Sequence, residues 1–318
     1  MVQLRLLGLS AAKVVDYLEG AHRVHLTTAA VLKMERWGAE SLGPLYETLK
    51  AQIVLQPVIH ADETKFRIGG ENGWLWVFSH PEAVVYRIAP SRGQEVVLEI
   101  LEGARGTIVH DGWVPYDIIR TARHQLDLLH VNRWLEREEI LHRLEPRPLL
   151  REVPAKLVSA GPPPKEFLEF ADGVRSLLRH AIEWSESHPE AREGERRHFY
   201  TTMRWMTVDH LRKGWRDPAA ARIAKELWKR RKTLFTFLVE PGVAWHNNDA
   251  ETQIRQGVLY RKISGGRRSW SGAWALERLL SIYRTCRKRG LEFVKVLKDA
   301  LSGSGYPEFG APSVRPQT

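Results

Sequence analysis

Three carboxylates in this sequence occur at positions where they could hold a divalent metal ion. Asp62 lies in an apolar segment with strand character, Asp111 ends a second such segment, and Glu251 lies in the first turn of a predicted helix. Mg²⁺ prefers hard oxygen ligands. Two such ions roughly 3.5–4 Å apart can activate an oxygen nucleophile and stabilise the leaving oxygen of a phosphodiester. The three residues therefore suggest metal-assisted phosphoryl chemistry.

Each of these acids also has an explanation that involves no catalysis. Asp62 is followed by Glu63, and because neighbours on a strand point to opposite faces, only one of the two can be a ligand. Asp111 is followed by glycine, which is an ordinary turn signal. Asn248 and Glu251 have the N-cap and N3 spacing of a capping box. Spacing alone leaves both explanations open.

The elements that would position the first two acids form an alternating pattern. We predict strands at residues 57–64, 74–78, 83–88, 107–111 and 126–130, and helices at 92–101 and 115–123. The order β-β-β-α-β-α-β predicts an α/β fold of the ribonuclease H-like type, with a mixed five-stranded sheet and flanking helices. The first and fourth strands are neighbours in such a sheet, so Asp62 and Asp111 can converge.

The predicted domain organisation has five parts. Residues 1–53 are expected to be helical, 54–131 to form the first part of a ribonuclease H-like catalytic domain, 132–240 to be a large helical insertion, 241–301 to complete the domain and add basic helices, and 302–318 to be a disordered tail. The last catalytic helix is predicted at 247–262, and another helix at 275–289.

The N-terminal segment predicts two capped helices joined by a short link. Ser10 can cap the first helix, and Thr27 or Thr28 can cap the second. Such a pair resembles a helix-turn-helix, whose second helix would present Lys33 and Arg36 to DNA. A helical hairpin that packs on the next domain explains the same pattern without DNA.

Charge points to a polyanionic partner. The 318 residues carry 48 Lys and Arg against 38 Asp and Glu, a net charge of +10. Residues 196–298 hold 24 basic and 8 acidic residues, which is +16, and the rest of the chain is therefore −6. The single cysteine, Cys286, excludes an internal disulfide and a cysteine-based zinc site. No apolar run is long enough for a membrane helix and no signal peptide is evident, so we expect a cytoplasmic protein with no membrane partner.

Basic residues in the C-terminal third are the main candidates for DNA contact. The candidates there are Arg255, Arg261, Lys262, Arg267 and Arg268. Trp270 and Trp274 are interleaved with them and could stack on an unpaired base. The alternative is that the basic runs are solvated helix faces and that the tryptophans belong to the core.

Five blocks of the sequence resemble successive blocks of the insertion sequence 66 family of bacterial and archaeal transposases. They are His60-Ala61-Asp62-Glu63-Thr64, Gly73-Trp74-Leu75-Trp76-Val77, Ser91-Arg92-Gly93, Asp111-Gly112-Trp113-Val114-Pro115-Tyr116 and Asn247 to Arg255 with Arg261-Lys262. The resemblance implies that Asp62, Asp111 and Glu251 are the metal ligands of a DDE transposase. It also implies two Mg²⁺ ions, with Mn²⁺ as a substitute.

The sequence departs from the family pattern in two places. The family usually has Cys-Trp-Ala-His before an arginine pair after the fifth strand, whereas this chain keeps His130 and one arginine, Arg133, so the roles of both stay open. Relatives usually carry an N-terminal coiled region and a cysteine-bearing zinc-binding segment. This chain begins after both, as expected for a shorter lineage, a truncated copy or a misplaced start.

The resemblance implies an enzyme that cleaves the ends of an insertion sequence and joins them to target DNA. It implies both DNAs as partners, a homo-oligomer in the transposition complex and accessory proteins encoded by the element. One alternative is a catalytically silent, truncated transposase that only binds DNA. Another is a hydrolytic ribonuclease H-like nuclease without strand transfer.

Overall fold

The strands of the computed structural model follow the predicted order. The structure describes residues 1–142, 144–145, 158–159, 162–306 and 309. The strands within these residues are β1 (Val58–Ile68), β2 (Glu71–His80), β3 (Ala83–Ala89), β4 (Thr107–His110), β5 (Arg123–Leu126), β6 (Leu144–Glu145) and β7 (Val158–Ser159). The first five form one mixed sheet in the order β3-β2-β1-β4-β5, which confirms the predicted ribonuclease H-like α/β fold.

Helices flank this sheet and make up most of the remaining described residues. They are α1 (Val2–Leu6), α2 (Ala11–His22), α3 (Thr28–Ser41), α4 (Gly43–Ile53), α5 (Gln94–Leu101), α6 (Leu128–His142), α7 (Lys165–Ser187), α8 (Glu193–Leu211), α9 (Pro218–Arg230), α10 (Asn248–Ser264), α11 (Trp270–Arg289) and α12 (Phe293–Ser302). Ser10 accepts the Lys13 amide and Thr27 accepts the Ala30 amide, so both predicted N-terminal caps are formed.

The chain divides into two compact units. Unit 1 comprises Met1–Ile108, Trp113–Ala122 and the described part of Asn247–Thr318. Unit 2 comprises Val109–Gly112 and the described part of Arg123–His246. The domain boundaries predicted from the sequence stay predictions. Of the predicted disordered tail, residues 307–308 and 310–318 lie outside the described residues.

Unit 1 is built around the antiparallel meander of β1, β2 and β3. Asp62 faces Val77 across the first pair, and the turn at Gly69 and Gly70 has φ of +62° and +93°, which glycine adopts without strain. β3 is an edge strand, and α11 side chains accept its amides. Val84 donates to Thr285 Oγ1 (3.0 Å), Tyr86 to Ser281 Oγ (2.8 Å) and Ile88 to Glu277 Oε2 (2.8 Å). The helix thereby satisfies an edge that would otherwise be open to another strand.

The predicted fifth strand at 126–130 is wrong in its boundaries. β5 ends at Leu126 and α6 begins at Leu128. Asp127 stops the strand because its Oδ1 accepts the Leu129 amide at 3.0 Å, which starts the helix. His130 and Arg133 consequently lie on a helix. The helix predicted at 115–123 is also shorter in the structure, a 3₁₀ helix at Val114–Ile118.

Unit 2 is mainly helical and has its own core. Phe170 of α7 stacks on His210 of α8, with ring centroids 5.6 Å apart, and Trp215 packs edge-on against Phe170 at 5.2 Å. The His210 ring nitrogen Nε2 lies 3.0 Å from the Phe170 carbonyl oxygen. Burial lowers the pKa of His210, which favours the neutral ring in this apolar setting.

Candidate active site

The two neighbouring acids of β1 have different environments. Glu63 is buried, and its carboxylate accepts hydrogen bonds from Arg92 Nε (2.8 Å) and from the Tyr116 hydroxyl (2.6 Å). Asp62 is half-buried, and its Oδ1 accepts the Glu63 amide at 2.8 Å. Neighbouring strand residues point to opposite faces of the sheet. Glu63 therefore forms a structural ion pair on one face, and Asp62 points to the other face. Of the two acids, Asp62 is therefore the better candidate for a metal ligand.

Arg92 is the centre of a cluster that sequence reasoning missed. Its guanidinium lies 3.8 Å from the Trp113 ring centroid and 4.9 Å from that of Trp74, and Trp113 Nε1 donates to the Arg92 carbonyl oxygen at 3.2 Å. Together with Glu63 and Tyr116, these side chains unite four of the five sequence blocks in one supporting network. The sequence did carry a signal for this network, since each of the four blocks contains an arginine, an acid or an aromatic residue that takes part in it.

Asn247 attaches the first turn of α10 to β1. Its Nδ2 donates to the Ala61 carbonyl oxygen at 2.8 Å, so its Oδ1 faces His60 Nδ1 at 3.1 Å and accepts from it. Asn247 is 2% exposed, and its own carbonyl oxygen accepts the Glu251 amide at 3.0 Å. The helix turn that carries Glu251 is therefore held against the strand residues that immediately precede Asp62.

The capping-box explanation of Glu251 does not match the helix start. Asn247 is the N-cap, so Asn248 is the first helical residue and Glu251 the fourth, rather than cap and N3. The Glu251 side chain is 21% exposed, and its Oε2 lies 4.0 Å from Arg255 Nη2. Glu251 therefore does not occupy the N3 position that a capping box uses.

Asp249, two residues before Glu251, has a structural role. Lys288 Nζ donates to both of its carboxylate oxygens at 2.7 and 2.8 Å, and Ser79 Oγ donates at 2.6 Å. Burial raises the pKa of Asp249, but the hydrogen bonds from Lys288 and Ser79 and the lysine charge outweigh it, so the net pKa is lowered. The Lys288 charge is in turn neutralised by this carboxylate.

Asp111 directly follows β4 and belongs to unit 2, whereas Asp62 and Glu251 belong to unit 1. The turn at Asp111 is held by a hydrogen-bond chain. The Gly112 amide donates to His110 Nδ1 at 3.1 Å, so His110 Nε2 carries the proton and donates to His124 Nδ1 at 3.2 Å. Gly112 has φ +90°, and a Cβ there would lie 2.7 Å from Leu126 Cδ1. The positive φ favours glycine at this position, directly after Asp111.

The predicted DNA contacts divide by exposure. Five have exposed side chains: Lys33, Arg36, Arg255, Lys262 and Arg268. Arg261 is half-buried and its Nη1 donates to the Lys65 carbonyl oxygen at 2.7 Å. Of the two residues whose roles the sequence leaves open, Arg133 is exposed on α6, and the His130 ring packs edge-on against Trp134 at 5.5 Å.

Arg267 differs from the other predicted DNA contacts because it is buried. Its guanidinium forms two hydrogen bonds with the Glu35 carboxylate, and Arg5 Nε donates to the same carboxylate at 3.3 Å. Burial raises the pKa of Glu35, but Arg267 and Arg5 outweigh it, so the net pKa is lowered. This network joins α1 and α3 to the loop between α10 and α11, a structural role that leaves Arg267 out of the exposed basic surface.

The oxygen donors at the predicted positions are of the type that Mg²⁺ and Mn²⁺ bind. Asp62 and Glu251 are carboxylates with partial solvent access, and a structural network occupies their neighbours Glu63 and Asp249. Partial access matters because Mg²⁺ keeps several waters when it binds protein. The chemistry of these donors therefore suits a hard divalent cation.

The sequence matches the Transposase IS66 family over residues 15–275. The chain belongs to this family. An uncharacterised protein, y4jO, from Sinorhizobium fredii (strain NBRC 101917 / NGR234) is 34% identical over 102 residues, which is 32% of this chain and 31% of that protein. The chain thus covers about a third of the length of this relative. No described helix of this IS66 family member is long and apolar enough to span a membrane.

Proposed function

We propose that this IS66 family protein is a transposase that cleaves the ends of an insertion sequence and joins them to target DNA. The observation that carries the proposal is the Asn247 side chain, which bonds to β1 beside Asp62 and holds the α10 turn that bears Glu251. Asp111 supports it by its position after β4, the strand next to β1 in the sheet. Asp62, Asp111 and Glu251 would together hold two Mg²⁺ ions, or Mn²⁺ in their place.

The reaction has two steps of the same kind. In the first, a water oxygen forms a bond to phosphorus at the element end, the bond from phosphorus to the 3′-oxygen breaks, and that oxygen leaves as a hydroxyl. In the second, this 3′-hydroxyl forms a bond to a target phosphorus and displaces the next 3′-oxygen. Bound Mg²⁺ supplies Lewis-acid activation of the attacking oxygen and stabilises the leaving one.

The protein groups supply ligands, positions and counter-charge. The carboxylates of Asp62, Asp111 and Glu251 ligate metal, while Asn247 keeps the α10 turn in place. Exposed cations hold the DNA phosphates, and each contact releases counter-ions that were condensed on the DNA. These cations are Lys33, Arg36, Arg255, Lys262 and Arg268. We further propose that the protein acts in the cytoplasm, as a homo-oligomer with accessory proteins of the element.

The test is strand transfer by purified protein with Mg²⁺ and DNA that carries the natural ends of the element. Asp62→Asn and Glu251→Gln should each lower the cleavage rate by roughly 10³-fold, the equivalent of about 4 kcal/mol of lost transition-state stabilisation, and leave DNA binding intact. Glu71→Gln is the matched control, since Glu71 is an exposed acid at the start of β2. Full activity of either site variant would refute the assignment.

Two other outcomes identify the alternatives. Salt-sensitive binding of ends without cleavage by the wild-type protein would indicate a catalytically silent DNA-binding protein. Nicking without joining would indicate a hydrolytic nuclease. Either result would contradict the transposase proposal.

A further inference from the structure

Helix α8 of unit 2 presents a solvent face that none of the predicted sites uses. Its inner face is formed by Met203, Thr207, His210 and Leu211. At 100° per residue, the opposite face contains His198, Thr201, Trp205 and the C-cap residue Arg212. The Trp205 side chain is 69% exposed, although tryptophan is usually at least partly buried. It makes no hydrogen bond or ring contact within the described part of the chain.

The helix segment that carries this face has a net positive charge. Residues 197 to 213 contain four Lys or Arg residues and one acid, Asp209, which is exposed and precedes Arg212 by three residues. Arg197 pairs with Glu193, but both side chains are about three-quarters exposed (73% and 75%). Such a surface pair contributes only about 0.3–0.5 kcal/mol, so a phosphate can replace the glutamate.

Two guanidinium groups share one indole ring at the C-terminal end of the face. Arg212 lies 4.7 Å and Arg231 lies 4.3 Å from the Trp228 ring centroid. Neither arginine forms an ion pair with a carboxylate among the described residues. Lys229 and Arg230, by contrast, both bind Glu226. Arg212 and Arg231 are therefore two like charges on one ring without a protein counter-ion, an arrangement that an anion would stabilise.

The geometry fits one strand of nucleic acid. Arg212 follows Trp205 by seven residues, which places it on the same face and about 10 Å further along the helix axis. Guanidinium groups match phosphate oxygens in a bidentate fashion. An exposed indole stacks on any unpaired base.

We propose that Trp205, Arg212, Trp228 and Arg231, the α8–α9 surface, bind a DNA strand with unpaired bases. The guanidinium groups of Arg212 and Arg231 contact its phosphates, and Trp205 stacks on a base. The inference rests on the proposed function, because it takes DNA to be the substrate. It adds that unit 2 holds a stretch that is single-stranded or frayed.

The test is fluorescence anisotropy with the full chain and two labelled probes of one sequence, a single-stranded oligonucleotide and its blunt duplex. Arg212→Gln combined with Arg231→Gln should weaken single-strand binding tenfold or more. It should also lower the salt dependence by about 0.7 in slope for each phosphate that is no longer neutralised. Trp205→Ala should weaken single-strand binding by about 5- to 150-fold and duplex binding much less, whereas Trp205→Phe keeps most of the affinity.

Arg222→Gln combined with Lys225→Gln is the matched control. Both residues are exposed on α9 of the same unit, and the two substitutions remove the same charge as the arginine double variant. Arg222 already pairs with Glu138 at 2.7 Å. Thermal melts of all variants check folding. An equal loss in this control would overturn the inference, because the effect would then be one of net charge.

Strand transfer by the wild-type protein, measured in parallel, separates the two proposals. Suppose that the wild-type protein joins ends and that the arginine double variant binds single strands as tightly as the wild type does. The inference is then overturned, and the proposed function is not. If Trp205→Ala weakens duplex and single-strand binding equally, the role of unpaired bases is overturned. If the wild type binds no DNA, both proposals fail, and the face would then be a candidate for a protein partner.

Discussion

Two sets of cationic side chains, one in each unit, differ in what they bind. In unit 1, Arg92 binds Glu63, Arg267 binds Glu35 and Lys288 binds Asp249, and each pair is buried or half-buried. In unit 2, Arg212 and Arg231 lie on the face of an indole, and neither forms an ion pair with a described carboxylate. The first set holds elements of unit 1 together. In the second set Arg212 is exposed and Arg231 is half-buried, and no described carboxylate neutralises either charge.

This difference shows why a charge count over a stretch of sequence is a poor map of a binding surface. Residues 196–298 carry +16, yet this stretch includes Arg267 and Lys288, whose charges are already neutralised within the fold. A buried cation requires a partner because the cost of removing it from water is several kcal/mol. Variants of the two sets of cations should therefore differ in their effect on stability.

The largest expected effect is the loss of the carboxylate that two buried arginines share. Glu35→Ala leaves Arg5 and Arg267 buried without an anion, and should lower the free energy of unfolding by about 3–5 kcal/mol. Urea denaturation of the full chain measures this. Arg268→Ala, which removes the exposed neighbour of Arg267, should change it by less than about 0.5 kcal/mol. Similar losses in both variants would contradict the structural role of the network.

The next effect separates the two acids of β1. Glu63→Gln removes the charge that Arg92 and Tyr116 bind and should cost about 2 kcal/mol of unfolding free energy, the range for hydrogen bonds to charged groups. Asp62→Asn keeps an oxygen for the Glu63 amide and should cost less than about 0.5 kcal/mol. Denaturation measures stability and the cleavage assay measures activity. A larger stability loss for Asp62→Asn would mean that Asp62 is the structural acid.

The stability of the protein should depend on pH through His80 of unit 1. Burial is the main cause that lowers the pKa of His80 to about 4. The carboxylates of Glu82 and Asp249 raise this pKa, whereas Lys288 and His60 lower it further. The unfolded chain therefore binds more protons between pH 4 and pH 6.5, so stability should fall as the pH falls through this range. Thermal melts at several pH values measure it. His80→Asn should make the melting temperature less dependent on pH between pH 4 and pH 6.5. An unchanged dependence would show that His80 is not its cause.

The smallest effect is expected where the cations are accessible. Arg212→Gln removes one cation–π contact at an exposed site, which contributes about 0.5–1 kcal/mol. The free energy of unfolding should fall by no more than that, in contrast to the loss at Glu35. Denaturation of this single variant checks the prediction. A loss of several kcal/mol would mean that Arg212 is structural, as the arginines of the first set in unit 1 are.

Elements whose signals are local could be predicted from the sequence. Ser10 and Thr27 cap helices as expected because the hydrogen bond joins residues three apart. The meander was predictable because strands of alternating or apolar residues are separated by two short turns, of which the first is rich in glycine. The boundary at Asp127 was not, because an apolar run such as Leu126–His130 suits a strand or a helix. The aspartate side chain decides between them only once it faces the Leu129 amide.

The sequence by itself determined the family, the order of the strands and the types of residue available for metal and phosphate. Only the tertiary structure decided which members of each set are accessible. Glu63 and Asp62 are adjacent, as are Arg267 and Arg268, yet one of each pair is buried against an opposite charge. Asn247 likewise bonds to β1 instead of serving as a side-chain cap. The physical reason is that burial and pairing depend on residues distant in the chain, here 29 residues from Glu63 to Arg92 and 232 from Glu35 to Arg267.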